Sequence, residues 1–340
     1  MLKSIGAAAC VLCASGAIAK PVIVEFDAPG AAQTYVSGVN RYGALSGVYV
    51  LGNGHADGYM RKSDGTYVFF SQAGTFPEAI DLNSETAGYT LDSNSDAFVA
   101  SAAGAVTAFS PHGATNQFGS SAEAMNVKGE SAGFYTDKNF HVHGFVRGGA
   151  GHIATFDAPG AGTGSHQGTF VYGLSDIETA AGYIIDTPGA YHGFVRDKDG
   201  NVTSFDVDGA GTASGQGTRV LCMSEHGTAG GTYVTADGVK HGFLRAANGA
   251  ITTFDVPGAT ATVVKSINGG STSVGFYVDA SGVSHGFSRN GKGHISKIDA
   301  PDAGSASGQG TTATGVNDKN EIVGFYFDSA GLQHGFVQTR

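Results

Sequence analysis

Apolar positions along this chain come in short bursts. Runs of about five to seven residues rich in Val, Ile, Phe, Tyr and Thr are separated by breaks carrying Gly, Asn or Asp. Near the C-terminal end they read "TTATGVN", "EIVGFYF" and "QHGFVQ", preceded by "HISKIDA". Such short runs, closed by turn residues, predict β-strands and no helix.

The bursts repeat. H-G-F recurs at His143, His192, His241, His285 and His334, with weaker copies at Asp57 and Asp96. The aromatic residues of this string are Tyr59, Phe98, Phe145, Phe194, Phe243, Phe287 and Phe336, spaced 39, 47, 49, 49, 44 and 49 residues apart. A second marker, F-D-A-P-G-A and its variants, begins at Phe26, Phe156, Phe205, Phe254 and Ile298, with degenerate copies at Phe70 and Phe109. Four strands in a period of 40 to 50 residues is the signature of a propeller blade. The expected fold is therefore all-β, a seven-bladed β-propeller with four antiparallel strands per blade. We call these strands A (GVN type), B (VGFY type), C (HGF type) and D (FDAPGA type), with A innermost. The first D-type strand, "VIVEFDAPG", precedes the first A strand, and the last repeat stops after its C strand. This phase predicts ring closure by the N-terminal strand joining the last blade. A solenoid or a pair of β domains is the alternative.

The strings "GVNDKNEIVGFY" and "HGF" resemble the repeat of bacterial extracellular HAF-repeat proteins, with Gly where that family has Ala. The resemblance covers nearly all of the chain after its first segment. It implies a secreted protein and supplies no catalytic residue set.

Composition agrees with the pattern. Gly accounts for 55 of 340 residues, about twice its usual share. A net charge of -10 without basic clusters argues against nucleic acid or an anionic membrane as partner. Residues 1–19 have a Lys3 start, an apolar run and a small-residue "AIA" end. They read as a signal peptide, leaving residues 20–340 as the propeller and a secreted location, extracellular or periplasmic. Too short an apolar span is left for a membrane crossing. Loss of Cys10 and Cys13 would leave Cys222 alone, so no intramolecular disulfide is expected. The expected state is a monomer.

Seven aligned repeats act as controls for one another. The repeated His reads as structural, a hydrogen-bonding lock within the blade. Asp92, Asp137, Asp186, Asp279 and Asp328, and likewise Asp27, Asp157, Asp206, Asp255 and Asp299, read as turn-forming residues on one rim. No cofactor is called for, although this Asp-rich rim is a candidate for Ca2+. Gly38, Ala79, Ala124, Gly173, Cys222, Ser266 and Gly315 form a column of small residues where strands converge. Cys222 is then one more small residue. "GVSHG" around Ser284 matches G-x-S-x-G. Equivalent turns carry Tyr191, Lys240 and Gln333 in that slot, so the serine is an accident of the repeat.

Specificity should come from what differs. One strand-A column varies most: Ser37, Glu78, Glu123, Tyr172, Leu221, Lys265 and Thr314. Glu78, Glu123, Tyr172 and Lys265 are the candidate catalytic set if the protein is an enzyme, because paired carboxylates can split their proton affinities. Three longer D–A loops present His166, Gln167, Gln216 and Gln309, the candidate ligand-binding residues. The reading is a secreted binding module for a glycan, peptide or surface protein. The alternatives are a polysaccharide lyase or hydrolase and a structural cell-envelope protein.

Overall fold

A computed structural model describes residues 21–91, 95–115 and 119–339. Residues 1–20, which include the segment read as a signal peptide with Cys10 and Cys13, and Asp92 lie outside the described residues. Those residues hold strands and turns, and none is helical.

Each repeat folds as an antiparallel meander. In the third, Ser120–Met125 (A) pairs with Ser131–Thr136 (B), B with Val142–Arg147 (C), and C with Ile153–Phe156 (D). The last repeat has A, B and C strands at Gly310–Val316, Ile322–Phe327 and Gln333–Thr339. Its fourth position is taken by Val22–Phe26, which pairs antiparallel with Gln333–Thr339. The first two repeats form separate four-stranded sheets, whereas single parallel bridges such as Tyr191 to Gly217 link the later ones into a continuous sheet.

The repeated residues explain the packing. All seven aromatic residues of the H-G-F string are fully buried. Five of them, Phe98, Phe145, Phe194, Phe243 and Phe287, meet a D-segment ring from the preceding meander edge-on, as Phe194 does with Phe156 at 5.9 Å and Phe243 with Phe205 at 6.2 Å. Edge-to-face contact suits the ring quadrupole. An arginine two residues further along C covers the other side of the D-strand ring: Arg196 over Phe156 at 4.9 Å, Arg245 over Phe205 at 4.8 Å, and Arg61 over Phe26 at 5.0 Å. The glycine of H-G-F faces its own meander's D-strand ring. A Cβ on Gly193 would lie 2.7 Å from Phe205, and one on Gly335 would lie 2.8 Å from Phe26.

Successive repeats are also stitched at both ends of strand A. A buried Thr at its start accepts the N–H of the residue after the F-D pair, as Thr169 does from Ala158 at 2.9 Å and Thr311 from Ala300 at 3.0 Å. At its end, an Asn amide donates to the next repeat's carbonyl. Asn40 reaches Asp81, Asn268 reaches Asn317, and Asn317 reaches Asn40, at 2.8–2.9 Å.

The rim histidines are hydrogen-bonded between carboxylates. His192 meets Asp206 through Nδ1 at 2.9 Å and Asp186 through Nε2 at 3.2 Å. His285 meets Asp299 at 2.8 Å and Asp279 at 3.3 Å in the same way. Both Asp sets therefore share one rim, joined by the histidine. Their roles differ, however. Asp279 and Asp328 form Asx-turns, accepting N–H bonds from residues two and four further on. Asp157, Asp206, Asp255 and Asp299 instead take the imidazole Nδ1 at 2.8–2.9 Å. The expectation that they shape the following turn gives way to this role as the histidine's partner.

Candidate functional site

Strand A carries a local irregularity in every repeat. The A–B register skips one residue between Val36 and Gly38, Pro77 and Ala79, Ala122 and Ala124, and Val171 and Gly173. It does so again between Val220 and Cys222, Val264 and Ser266, and Ala313 and Gly315. The skipped residue is each time the variable one: Ser37, Glu78, Glu123, Tyr172, Leu221, Lys265 or Thr314. A β-bulge leaves one residue out of the ladder and re-aims its side chain. The bulge has a visible cause in strand B. At Gly133 an added Cβ would sit 1.9 Å from the Ser121 carbonyl oxygen, and at Gly182 it would sit 1.8 Å from that of Phe170. Gly47, Gly88, Gly231, Gly275 and Gly324 face strand-A carbonyls equally closely, at 2.0 Å or less. The glycine of the VGFY string thus admits the bulged backbone.

All seven bulged residues line one cavity of about 410 Å³. Glu78, Glu123, Tyr172 and Lys265, singled out by their variability, are brought together there. So are Tyr35 and the apolar column that includes Met125, Leu174 and Ile267. That column packs into the cores of successive meanders at the same time.

The carboxyl groups are strongly perturbed. Burial, and then the charge of Glu123, push Glu78 up to about 8, against the pull of Lys265. Burial also raises Glu123, while the Ser121 hydroxyl, donating to its Oε1 at 2.5 Å, and Lys265 draw it back. Burial thus raises both carboxyls, and the pair holds a proton to higher pH than free glutamates do. Tyr172 stacks on Tyr183 with centroids 5.6 Å apart, and burial holds its phenol well above the ordinary range. Burial and the two glutamates raise Tyr35 as well and push Tyr89 up to about 12. The tyrosines are neutral hydrogen-bonding groups here. Ser37 and Thr314 are tied to neighbouring strands, donating to Pro77 O at 2.5 Å and Val36 O at 2.8 Å.

The cavity has a charged mouth that the repeat comparison missed. The residue after the strand-A Asn or its equivalent is Arg41, Leu82, Val127, Asp176, Glu225, Gly269 or Asp318, and all line the cavity. Arg41 pairs with Asp318 at 2.6 Å and with Glu225 at 3.2 Å. Asp318 also accepts the Gly269 N–H at 2.9 Å. A Cβ on Gly269 would lie 2.2 Å from Glu225 Oε1, so any larger residue would push the Glu225 carboxylate aside. The signal was a second variable column, four residues beyond the first.

The loop candidates lie elsewhere. D–A loops precede strand A and the mouth residues follow it, so the two occupy opposite ends of that strand. Gln167 accepts Gly164 N–H at 2.9 Å and donates to Thr187 O at 2.9 Å. Gln216 and Gln309 repeat this bracing, from Ala213 to Ala236 O and from Ala306 to Ser329 O. Each amide is thus engaged on both sides by its own loop and the adjoining B–C turn. His166 lies exposed beside Ser165, 2.8 Å from its hydroxyl, and against the Phe140 ring. Among the described residues, no group of three His, Cys, Asp or Glu side chains is arranged to hold a metal ion. Cys222 is buried, and burial pushes its thiol up to about 12, far from a reactive thiolate. Ser284 and His285 are neighbours on one strand, so their side chains point to opposite faces. The histidine's partners are Asp299 and Asp279.

No family model and no curated protein matches this chain. Solved structures do. The β-propeller domain of the Trilobed protease from Pyrococcus furiosus superposes with a TM-score of 0.59 at 9% identity, over 90% of this chain and 95% of that one. The BP39L lectin from Burkholderia pseudomallei superposes with a TM-score of 0.52 at 13% identity, over 91% of this chain and 100% of that one. At such identities the likeness is one of fold, and the fold is all-β, of the β-propeller type.

Proposed function

We propose that this is a secreted, monomeric, seven-bladed β-propeller of the HAF-repeat kind. Its ring is closed by the N-terminal strand, and it binds its ligand in the axial cavity lined by the bulged strand-A residues. Pairing of Val22–Phe26 with Gln333–Thr339 supports the closure. One observation carries the binding reading. The most variable column of the repeat is the one that a constant bulge delivers into a single cavity. A purely structural repeat has no reason to keep the bulge while presenting six different residue types at its seven positions. The cavity's size suits a small ligand or the end of a glycan or peptide chain.

The test is to fill the cavity. Leu221→Trp should abolish binding of whichever member of a glycan and peptide panel the wild type captures, with the fold intact by circular dichroism. Binding that survives Leu221→Trp but is lost when Gln167, Gln216 and Gln309 are changed to Ala would move the site to the loops.

The raised and coupled proton affinities of Glu78 and Glu123 favour a second reading, acid–base action on a polysaccharide. Glu78→Gln with Glu123→Gln should then abolish release of oligosaccharides from the polymer. Export would be checked by the mass of the native protein, which should begin at Lys20.

A further inference from the structure

We infer that the ligand of this cavity is a small organic cation, an amine whose ammonium group sits against the Glu78–Glu123 pair beside Tyr35 and Tyr172. The inference rests on the axial cavity being the binding site. Charge comes first. Six acidic residues, Glu78, Asp81, Glu123, Asp176, Glu225 and Asp318, line the cavity against two cations, Arg41 and Lys265. Arg41 is already taken by Asp318 and Glu225 at the mouth. Lys265 is the second cation and pulls on both Glu78 and Glu123 through space.

Hydrogen bonding comes second. Glu123 has the Ser121 hydroxyl. Glu78 is half-buried and lines the cavity, and among the described residues no protein hydrogen-bond donor reaches it, so its carboxyl lacks a protein partner. An ammonium donor supplies that partner. The rings come third, since carboxylates beside aromatic side chains make a favourable cage for a cation in partly desolvated space. A neutral sugar would use the hydroxyl and amide groups but would leave the carboxyl pair uncompensated.

Binding a cation requires Glu78 to give up its proton, so protons are released on binding and affinity rises with pH through the Glu78 titration. Lys265 competes with the ligand for the same carboxylates.

Calorimetric titration of the mature chain tests this, with 1,4-diaminobutane and tetramethylammonium as probes and glutarate and N-acetylglucosamine as controls. The amines should bind more tightly above the Glu78 titration than below it, with proton release seen as a buffer-dependent heat. Glu78→Gln should weaken amine binding by about tenfold or more and remove its pH dependence. Lys265→Met should tighten it. The inference is overturned if the amines fail to bind at millimolar concentration, if glutarate binds in their place, or if Lys265→Met weakens amine binding. Failure of the cavity reading itself looks different: a bound probe or panel ligand then retains its affinity in Leu221→Trp.

Discussion

The rim and the cavity of this protein use repetition in opposite ways. At the rim, five repeats place the same imidazole against the same kind of carboxylate, with His–Asp distances of 2.8–2.9 Å. In the cavity, seven repeats keep the same backbone irregularity and never present the same set of side chains twice, save for the two glutamates. Identical side chains mark what the meander needs to hold together. An identical backbone with changing side chains marks what the protein presents to something else.

This contrast can be broken most severely at its backbone. Gly133→Ala should cost about 3 kcal/mol or more, since the added Cβ meets a carbonyl oxygen that cannot move without undoing the bulge. Urea unfolding reads the effect, and a loss under about 0.5 kcal/mol would mean that the bulge does not depend on glycine.

Next comes the carboxyl pair. A Glu whose folded pKa is raised binds more protons folded than unfolded, so its contribution to stability declines as pH climbs from its ordinary value near 4.5 to about 8. Glu78→Gln should remove much of that decline and stabilise the protein by about 1–3 kcal/mol at alkaline pH. Parallel pH curves for the two proteins would sink the assignment.

At the rim the pH dependence has the same sign, but the substitution acts the other way. Burial works against the charge on His192, but its hydrogen bonds to Asp206 and Asp186 outweigh this and raise its pKa. Stability from this residue is then fully present below about 6.5 and is lost as pH rises through the higher folded value. His192→Asn should cost about 1 kcal/mol at acid pH and less above neutrality. Thermal melts across pH would show a constant difference if the histidine were a mere spacer. The smallest effect belongs to the cavity column. Leu221→Ser should alter stability by no more than about 0.5 kcal/mol while changing ligand affinity, as matched melts and titrations would reveal.

Strand types, the order of strands within each meander and the buried aromatic column could all be read from the sequence. They recur, and recurrence exposes the residues that packing fixes. Glu78, Glu123, Tyr172 and Lys265 stood out for the converse reason, as departures from the repeat. Their destination could not be read. Strict alternation along strand A puts two neighbouring columns on opposite faces, and only the one-residue bulge breaks that parity. The clue lay across the ladder, in the strand-B glycine of the VGFY string. The Arg41 mouth was hidden because its charged partners come from distant parts of the chain, with Glu225 184 residues away. The loop glutamines illustrate the reverse. Their chemistry suggested ligand reading, while their amides are consumed in bracing the loop between neighbouring turns.

The glycine beneath each bulge has an evolutionary corollary. Whatever residue occupies the bulged position, the backbone that displays it is secured from the neighbouring strand. Substitutions there leave the bulge itself in place, although residues such as Glu78 and Glu123 that act on one another must change together. A lineage that duplicates such a unit inherits a set of interchangeable sockets around a common chamber. New ligands can then be sampled by changing the sockets, without renegotiating the architecture that holds them.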